Sequence, residues 1–226
     1  PLVNKISNEL DQKEMRLKII KAGIMTSIQD LGRWAYRSEG VPASGAMDTL
    51  AARIANIALG NAPHDAVIEF TYGNATFQTQ SDILLAYAGE GGTLFIEKKT
   101  LTPGRPIFVP SGTNLNLVNN PSGVYTYLAV AGGWDIKETL GSKSTYITAG
   151  FGGVQGRALK IGDELTNNNH YTDVTEKILL KLQSRELNFP KWSLNKTSFM
   201  HHPKTVRVVP GHEFTCFVAS SLINFF

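Results

Sequence analysis

The 226-residue chain has a single cysteine, Cys216, so no disulfide can form within it and a reducing, cytoplasmic setting is expected. Its setting, Phe214-Thr215-Cys216-Phe217-Val218, is apolar and predicts a buried structural thiol rather than a nucleophile. No apolar run reaches the roughly 18 residues of a membrane-spanning helix, and the polar N-terminus lacks a signal-peptide core. No membrane partner is therefore expected. There is no Gly-x-x-x-x-Gly-Lys-Ser/Thr phosphate loop and no Gly-x-Ser-x-Gly nucleophile elbow. Gly150–Gly156 is rich in glycine, but it neither follows a clear strand nor opens a helix, so it reads as a tight loop. His201 and His202 are adjacent, and His64, His170 and His212 lack ligand spacing, so no metal site is expected. Charge is also sparse. Lys and Arg number 22 against 19 Asp and Glu, for a net charge of +3. The surplus is diffuse and lies in residues 171–210, where seven basic residues face three acidic ones. Nucleic acid is not an expected partner of so thin a charge.

What is present is mostly strand-like. Arg16–Ile20, Ala66–Tyr72, Ala75–Gln78, Asp82–Ala88, Thr93–Glu97, Pro106–Val109, Asn114–Val118, Val124–Val130, Ala158–Ile161 and Val206–Val209 are short and rich in β-branched and aromatic residues. Turn signals such as Gly73-Asn74, Gly91-Gly92 and Pro103-Gly104 separate them. This spacing predicts a mainly β fold, a barrel or sandwich. One helix is predicted, from about Asp48 to Leu59, with Leu50, Ile54, Ile57 and Ala58 on one face and Gly60 as its stop. It is expected to plug a barrel mouth. Residues 166–204 read as a linker, although Leu179, Leu180 and Leu182 hint at a short strand or helix within it. Residues 1–14 read as an N-terminal extension, and the abrupt apolar end, Ser221–Phe226, reads as a chain cut short.

Two segments concentrate polar residues: Thr26–Arg33 and Gly40–Asp48. Together they form a polar loop that opens into the helix. Asp48 falls at the helix start, where its carboxylate can accept from free backbone amides; a plain N-cap is worth about 1 kcal/mol. The functional alternative is a fixed acceptor or weak base. Ser44 and Gly45, in the preceding turn, could complete an anion site with the helix N-terminus. Asp30 and Arg33 could form a local ion pair, or Arg33 could grip a carboxylate or phosphate with its planar fork. Ser142, Ser144, Thr145 and Tyr146, with Arg157 nearby, could either satisfy turn backbone or line a pocket.

Six stretches occur here in the order of one known family: Thr26–Arg33, Gly40–Asp48, Ala129–Gly133, Gly141–Tyr146, Phe151–Gly153 and Gly156–Leu159. On these the chain resembles the biotin-dependent carboxyltransferase-like family, also called allophanate hydrolase subunit 2. Its members include the C subunit of the bacterial ATP-dependent 5-oxoprolinase and the KipI antagonist KipA. The resemblance implies cyclophilin-like β-barrel domains, the first over residues 15–165 and the start of a second over 205–226. Its implied partners are a KipI-like protein, the B subunit, with a lactam-utilisation protein, the A subunit; homo-oligomers are also open. The implied reaction is cleavage of 5-oxoproline to glutamate, with ATP used at the level of the complex and without a metal. The alternatives are a KipA-like regulator of a kinase inhibitor and carboxyl transfer to urea. Biotin belongs to that last reading and is not favoured. The implied polar site residues are Asp30, Arg33, Ser44, Asp48, Ser144, Tyr146 and Arg157, with Asp48, Ser44 and Arg33 in the reacting group and Gly45 beside Ser44.

Overall fold

The computed structural model describes residues 14–194 and 208–225. They fall into two compact units, one within Pro1–Asn195 and one within Lys196–Phe226. In the first unit eleven strands form: β1 (Arg16–Lys21), β2 (Met25–Gln29), β3 (Val67–Thr71), β4 (Ala75–Thr79), β5 (Ile83–Gly89), β6 (Gly92–Ile96), β7 (Lys99–Thr100), β8 (Ile107–Val109), β9 (Asn114–Asn119), β10 (Tyr125–Val130) and β11 (Glu164–Thr166). Two helices accompany them, α1 (Thr49–Leu59) and α2 (Asp173–Leu182). The strands build a six-stranded sheet in the order β11-β1-β4-β9-β6-β7 and a five-stranded sheet in the order β2-β3-β10-β5-β8.

The mainly β expectation holds, but the strands make two sheets rather than one closed ring. Burial explains the layering. β4 and β6 alternate buried and half-buried residues, as in a sheet with one face on the core. β3 and β5 are buried along nearly their whole length because both faces of the five-stranded sheet are covered. On one face Phe70 of β3 stacks on Phe77 of β4, ring centroids 5.7 Å apart, joining the two sheets in one core.

The other face carries α1, which lies across β5 and β10 rather than in a barrel mouth. Its buried side is alanine-rich: Ala51, Ala52, Ala55 and Ala58, with Ile54 and Leu59. Small residues let the helix approach a sheet face that itself presents Ala86, Ala88 and Ala129. The expected face is therefore only partly right: Ile57 is exposed and Leu50 half-buried. Gly60 ends the helix with φ 77°, and a Cβ there would come within 2.8 Å of Val174.

Several expected boundaries move. Thr26–Gln29, read as polar loop, is strand β2 and buried throughout. Ala158–Ile161 is not a strand; its backbone touches β2 only through the Leu159 N–H on the Thr26 carbonyl. β7 and β11, too short to show in the sequence, were not expected. Residues 166–194 are no free linker. Thr172 caps α2 and donates its hydroxyl to the Gly60 carbonyl, Leu179 and Leu182 enter the core, and Asn188 bridges Phe108. Of the expected strand Val206–Val209, the first two residues lie outside the described residues, and Val208 and Val209 are irregular.

In the second unit a 3-10 turn, His212–Cys216, precedes a short helix α3, Ala219–Phe225. No described residue of this unit is buried, and Cys216 is exposed, against the expected buried thiol. Its apolar neighbours have no packed layer to bury them here. No helix among the described residues is long and apolar enough to cross a membrane. Leu179→Ala is expected to lower unfolding stability by about 2–4 kcal/mol in urea denaturation. A change under about 0.5 kcal/mol would mean that α2 does not pack as described.

Candidate functional site

Three loops meet beside the end of β2. The first is Asp30–Arg33, the second Ala43–Asp48, and the third runs from Thr139 to Tyr146. Their junction is the Asp30 carboxylate, which is 9% exposed. Its Oδ1 accepts from the Gly32 N–H at 2.7 Å, the Ser142 hydroxyl at 2.7 Å and the Ser144 hydroxyl at 2.6 Å. Oδ2 accepts from the Lys143 N–H at 2.6 Å. The Asp30 N–H donates to Ser144 Oγ, and the Asp30 carbonyl accepts from the Ala46 N–H at 2.8 Å. One residue thus fastens all three loops. Hydrogen bonds to a charged group are worth about 1.5–3 kcal/mol each.

Arg33 does not pair directly with Asp30. It is 1% exposed. Its guanidinium donates to the Ser144 and Thr139 carbonyls and lies 4.9 Å from the Phe151 ring centroid. Nη1 is buried without a protein partner. Burial pushes the guanidinium below its usual value, an effect the Asp30 charge partly offsets. Neither reading offered for the Asp30–Arg33 pair describes this geometry: Arg33 is interior, gripping the backbone of the third loop.

Backbone contact closes the first two loops on each other. The Arg33 N–H donates to the Ala43 carbonyl at 2.7 Å. A Cβ on Gly32 would lie 2.6 Å from the Ala43 oxygen, and one on Gly45 2.9 Å from the Gly32 nitrogen, so both positions require glycine. Ser44, half-buried, takes φ 55° between them.

At the head of α1, Asp48 is the N-cap, its Oδ1 accepting from the Ala51 N–H at 3.0 Å. A second anchor lies beneath it. Tyr127 accepts from the Asp48 N–H at 2.7 Å and donates to Glu69 Oε2 at 2.8 Å. The same oxygen accepts from the Met47 N–H at 2.9 Å. Burial raises the Glu69 carboxyl above its usual value, and these two hydrogen bonds oppose the shift. Burial and the Glu69 charge push the Tyr127 phenol up as well.

The remaining expected site residues divide. Ser144 is fully buried in the Asp30 cluster. Tyr146 is half-buried and packs edge-on against Phe151, with centroids 5.4 Å apart. Arg157 stands apart, making a two-pronged ion pair with Asp163 at 2.7 and 2.9 Å. The hydroxyl-rich stretch thus satisfies the interior rather than lining a cavity. An open cavity of about 170 Å³ does lie against the outer side of the junction, between Asp30–Gly32, His64, Asp65, Glu138, Gly141 and Lys143. Sequence reasoning missed Glu69, Tyr127 and most of this lining. The only available signal was Glu69 itself, one acid inside the otherwise apolar run Val67–Phe70. Among the described residues, no three of His, Cys, Asp or Glu are grouped to hold a metal ion.

This framework belongs to a known class: the chain is a member of the carboxyltransferase domain family, subdomains A and B, whose model matches residues 39–226. It is 39% identical over 149 residues to the 5-oxoprolinase C subunit of Escherichia coli, covering 66% of this chain and 48% of that protein. With the 5-oxoprolinase C subunit of Haemophilus influenzae it shares 37% over 155 residues, covering 68% and 50%. The structure of Kluyveromyces lactis urea amidolyase superposes with a TM-score of 0.66 at 31% identity, covering 75% of this chain and 10% of that one. The chain spans about half the length of the two 5-oxoprolinase relatives.

Glu69 yields a pH prediction. Because its folded value lies above the ordinary 4.5, folding favours the protonated form. The contribution of Glu69 to stability is therefore greatest below 4.5 and falls as pH rises from there through the folded value. Glu69→Gln keeps a carbonyl oxygen for Met47 and Tyr127 but carries no charge, so its stability should lose less over that pH rise. Identical pH profiles for the two proteins in urea denaturation would contradict this.

Proposed function

We propose that this chain acts as the C subunit of a 5-oxoprolinase, a multi-subunit hydrolase that opens 5-oxoproline to glutamate with hydrolysis of ATP. The observation that carries this reading is the identity of 37–39% to two 5-oxoprolinase C subunits over two thirds of the chain. In this reading the partners are a KipI-like protein and a lactam-utilisation protein, the B and A subunits of the complex. ATP binds on one of those two. Neither cavity suits a triphosphate: the one beside Asp30, about 170 Å³, has three carboxylates against one lysine, and the one in the second unit, about 690 Å³, is mostly apolar and has Glu213 but no Lys or Arg in its lining.

Asp48, held at the helix mouth by its own cap and by Tyr127, orients the reacting amide or a water together with Ser44. Arg33, Asp30 and Ser144 act one layer down, holding the loops that shape this wall. Gly45 lets the loops close. Phe151, backed by Tyr146, covers Arg33, and Arg157 fixes the loop after them. The second reading is carboxyl transfer of the urea amidolyase kind, favoured by the structural likeness to the Kluyveromyces lactis protein.

Co-expression with the KipI-like and lactam-utilisation partners should give 5-oxoproline-dependent ATP hydrolysis, and Asp48→Asn should reduce turnover by about 10²–10⁴-fold, the usual worth of a positioned acid or base. Urea-dependent carboxyl transfer in place of this activity would support the second reading. Full 5-oxoproline turnover with Asp48→Asn would remove Asp48 from the reacting group.

A further inference from the structure

Four large apolar side chains lie in water at one corner of the first unit, where β1 turns into β2. Ile24 is 77% exposed, Ile161 74%, Met25 50% and Ile20 40%. Backbone bonds bring them together. The Gly162 N–H donates to the Ile19 carbonyl and the Ile19 N–H to the Asp163 carbonyl, both at 2.8 Å. The Leu159 N–H donates to the Thr26 carbonyl at 2.7 Å. Residues 159–163 therefore run from the start of β2 to the end of β1, and Ile161 falls between Met25 and Ile20. The turn joining the two strands is tied as well, by the Thr26 hydroxyl on the Ala22 carbonyl. Scattered exposed aliphatic residues are ordinary, but four gathered on a fixed backbone mark an interaction surface. β2 starts at this corner and ends at the Asp30 junction, so the corner is distinct from the candidate site.

Charge narrows the occupant. Residues 18–25 and 157–164 carry four basic side chains, Lys18, Lys21, Arg157 and Lys160, against two acidic ones, Asp163 and Glu164. Both acids are already taken, Asp163 by Arg157 at 2.7 and 2.9 Å and Glu164 by Lys18 at 3.1 Å. Among the described residues, Lys21 and Lys160 are in no ion pair. Lys21 reaches only the neutral Asn74 Oδ1, at 2.6 Å. An apolar centre edged by such lysines is complementary to an apolar face edged by carboxylates. A second copy of this chain would set lysine against lysine across a two-fold axis. An anionic membrane would gain about 1 kcal/mol from each of the two lysines, and neither segment has a helix or a tryptophan to enter it. We propose that this corner docks a partner protein by a face with an apolar centre and an acidic edge, the centre resting on Ile24 and Ile161 and the edge on Lys21 and Lys160.

The test is titration calorimetry on the full chain with two probes added separately, the KipI-like protein and the lactam-utilisation protein. The choice of probes rests on the function proposed above, whereas the surface and the chemistry of its occupant do not. At least one of the two should bind, and more weakly as salt rises. Ile24→Asp and Ile161→Asp, at exposed positions that do not threaten folding, should each weaken that binding about tenfold or more, because a carboxylate is then buried in an apolar contact. Lys160→Glu should weaken it too and reduce its salt dependence. No binding of either protein, or affinity unmoved by all three substitutions, would overturn the proposal. So would self-association in sedimentation, or capture by phosphatidylserine vesicles, that the same substitutions abolish. The assembled complex with both partners separates this from the function. If it forms and turns over 5-oxoproline unchanged with Ile24→Asp and Ile161→Asp, the corner assignment fails and the function stands. If binding depends on the corner but the complex has no turnover, the function fails and the corner stands.

Discussion

The Asp30 carboxylate joins parts of the chain that lie 112 residues apart in sequence. Four donors converge on its two oxygens, from Gly32, Ser142, Lys143 and Ser144. A buried carboxylate is tolerable only when such donors replace the water it has lost. With that condition met, the third loop is drawn against the first. Arg33 can then be buried against the Ser144 carbonyl and the Phe151 ring, and the Ala46 N–H can reach the Asp30 carbonyl. An uncharged side chain at position 30 could not accept all four bonds at once, and the loops would lose their common anchor.

The helix head depends on a second and separate anchor. Glu69 and Tyr127 stand on neighbouring strands of the five-stranded sheet, on the face that α1 covers. They take the N–H groups of Met47 and Asp48, just where the second loop becomes helix. The sheet therefore positions the start of α1, and the Asp30 cluster positions the loops beside it. Between these rigid parts the outer surface carries Lys143, Asp65 and Glu138, none of them in an ion pair among the described residues.

Much of the fold was legible in the residues. Eight of the expected strands and the α1 helix lie close to where β-branched runs, turn glycines and the Asp48–Gly60 caps placed them. The failures have physical causes. Thr26–Gln29 is polar in composition yet buried, because its polar groups bond inward to the backbone and to Thr145. The α2 helix was obscured by its low overall hydrophobicity, since it buries only Thr175, Leu179 and Leu182. The polar motifs pointed to the right neighbourhood, and residue type pointed to the right chemistry for Asp48 as a cap. Which polar residues turn inward could not be read from spacing. Asp30, Arg33 and Ser144 look like surface chemistry until partners far away in sequence are brought to them.

A double-mutant cycle on Asp30→Asn and Ser144→Ala, followed by urea denaturation, tests the central role of the Asp30 junction most directly. If the carboxylate fastens the loops as described, the two substitutions will be strongly non-additive, with a coupling of about 1–3 kcal/mol. A coupling below about 0.5 kcal/mol would mean that the loops are held together by something else.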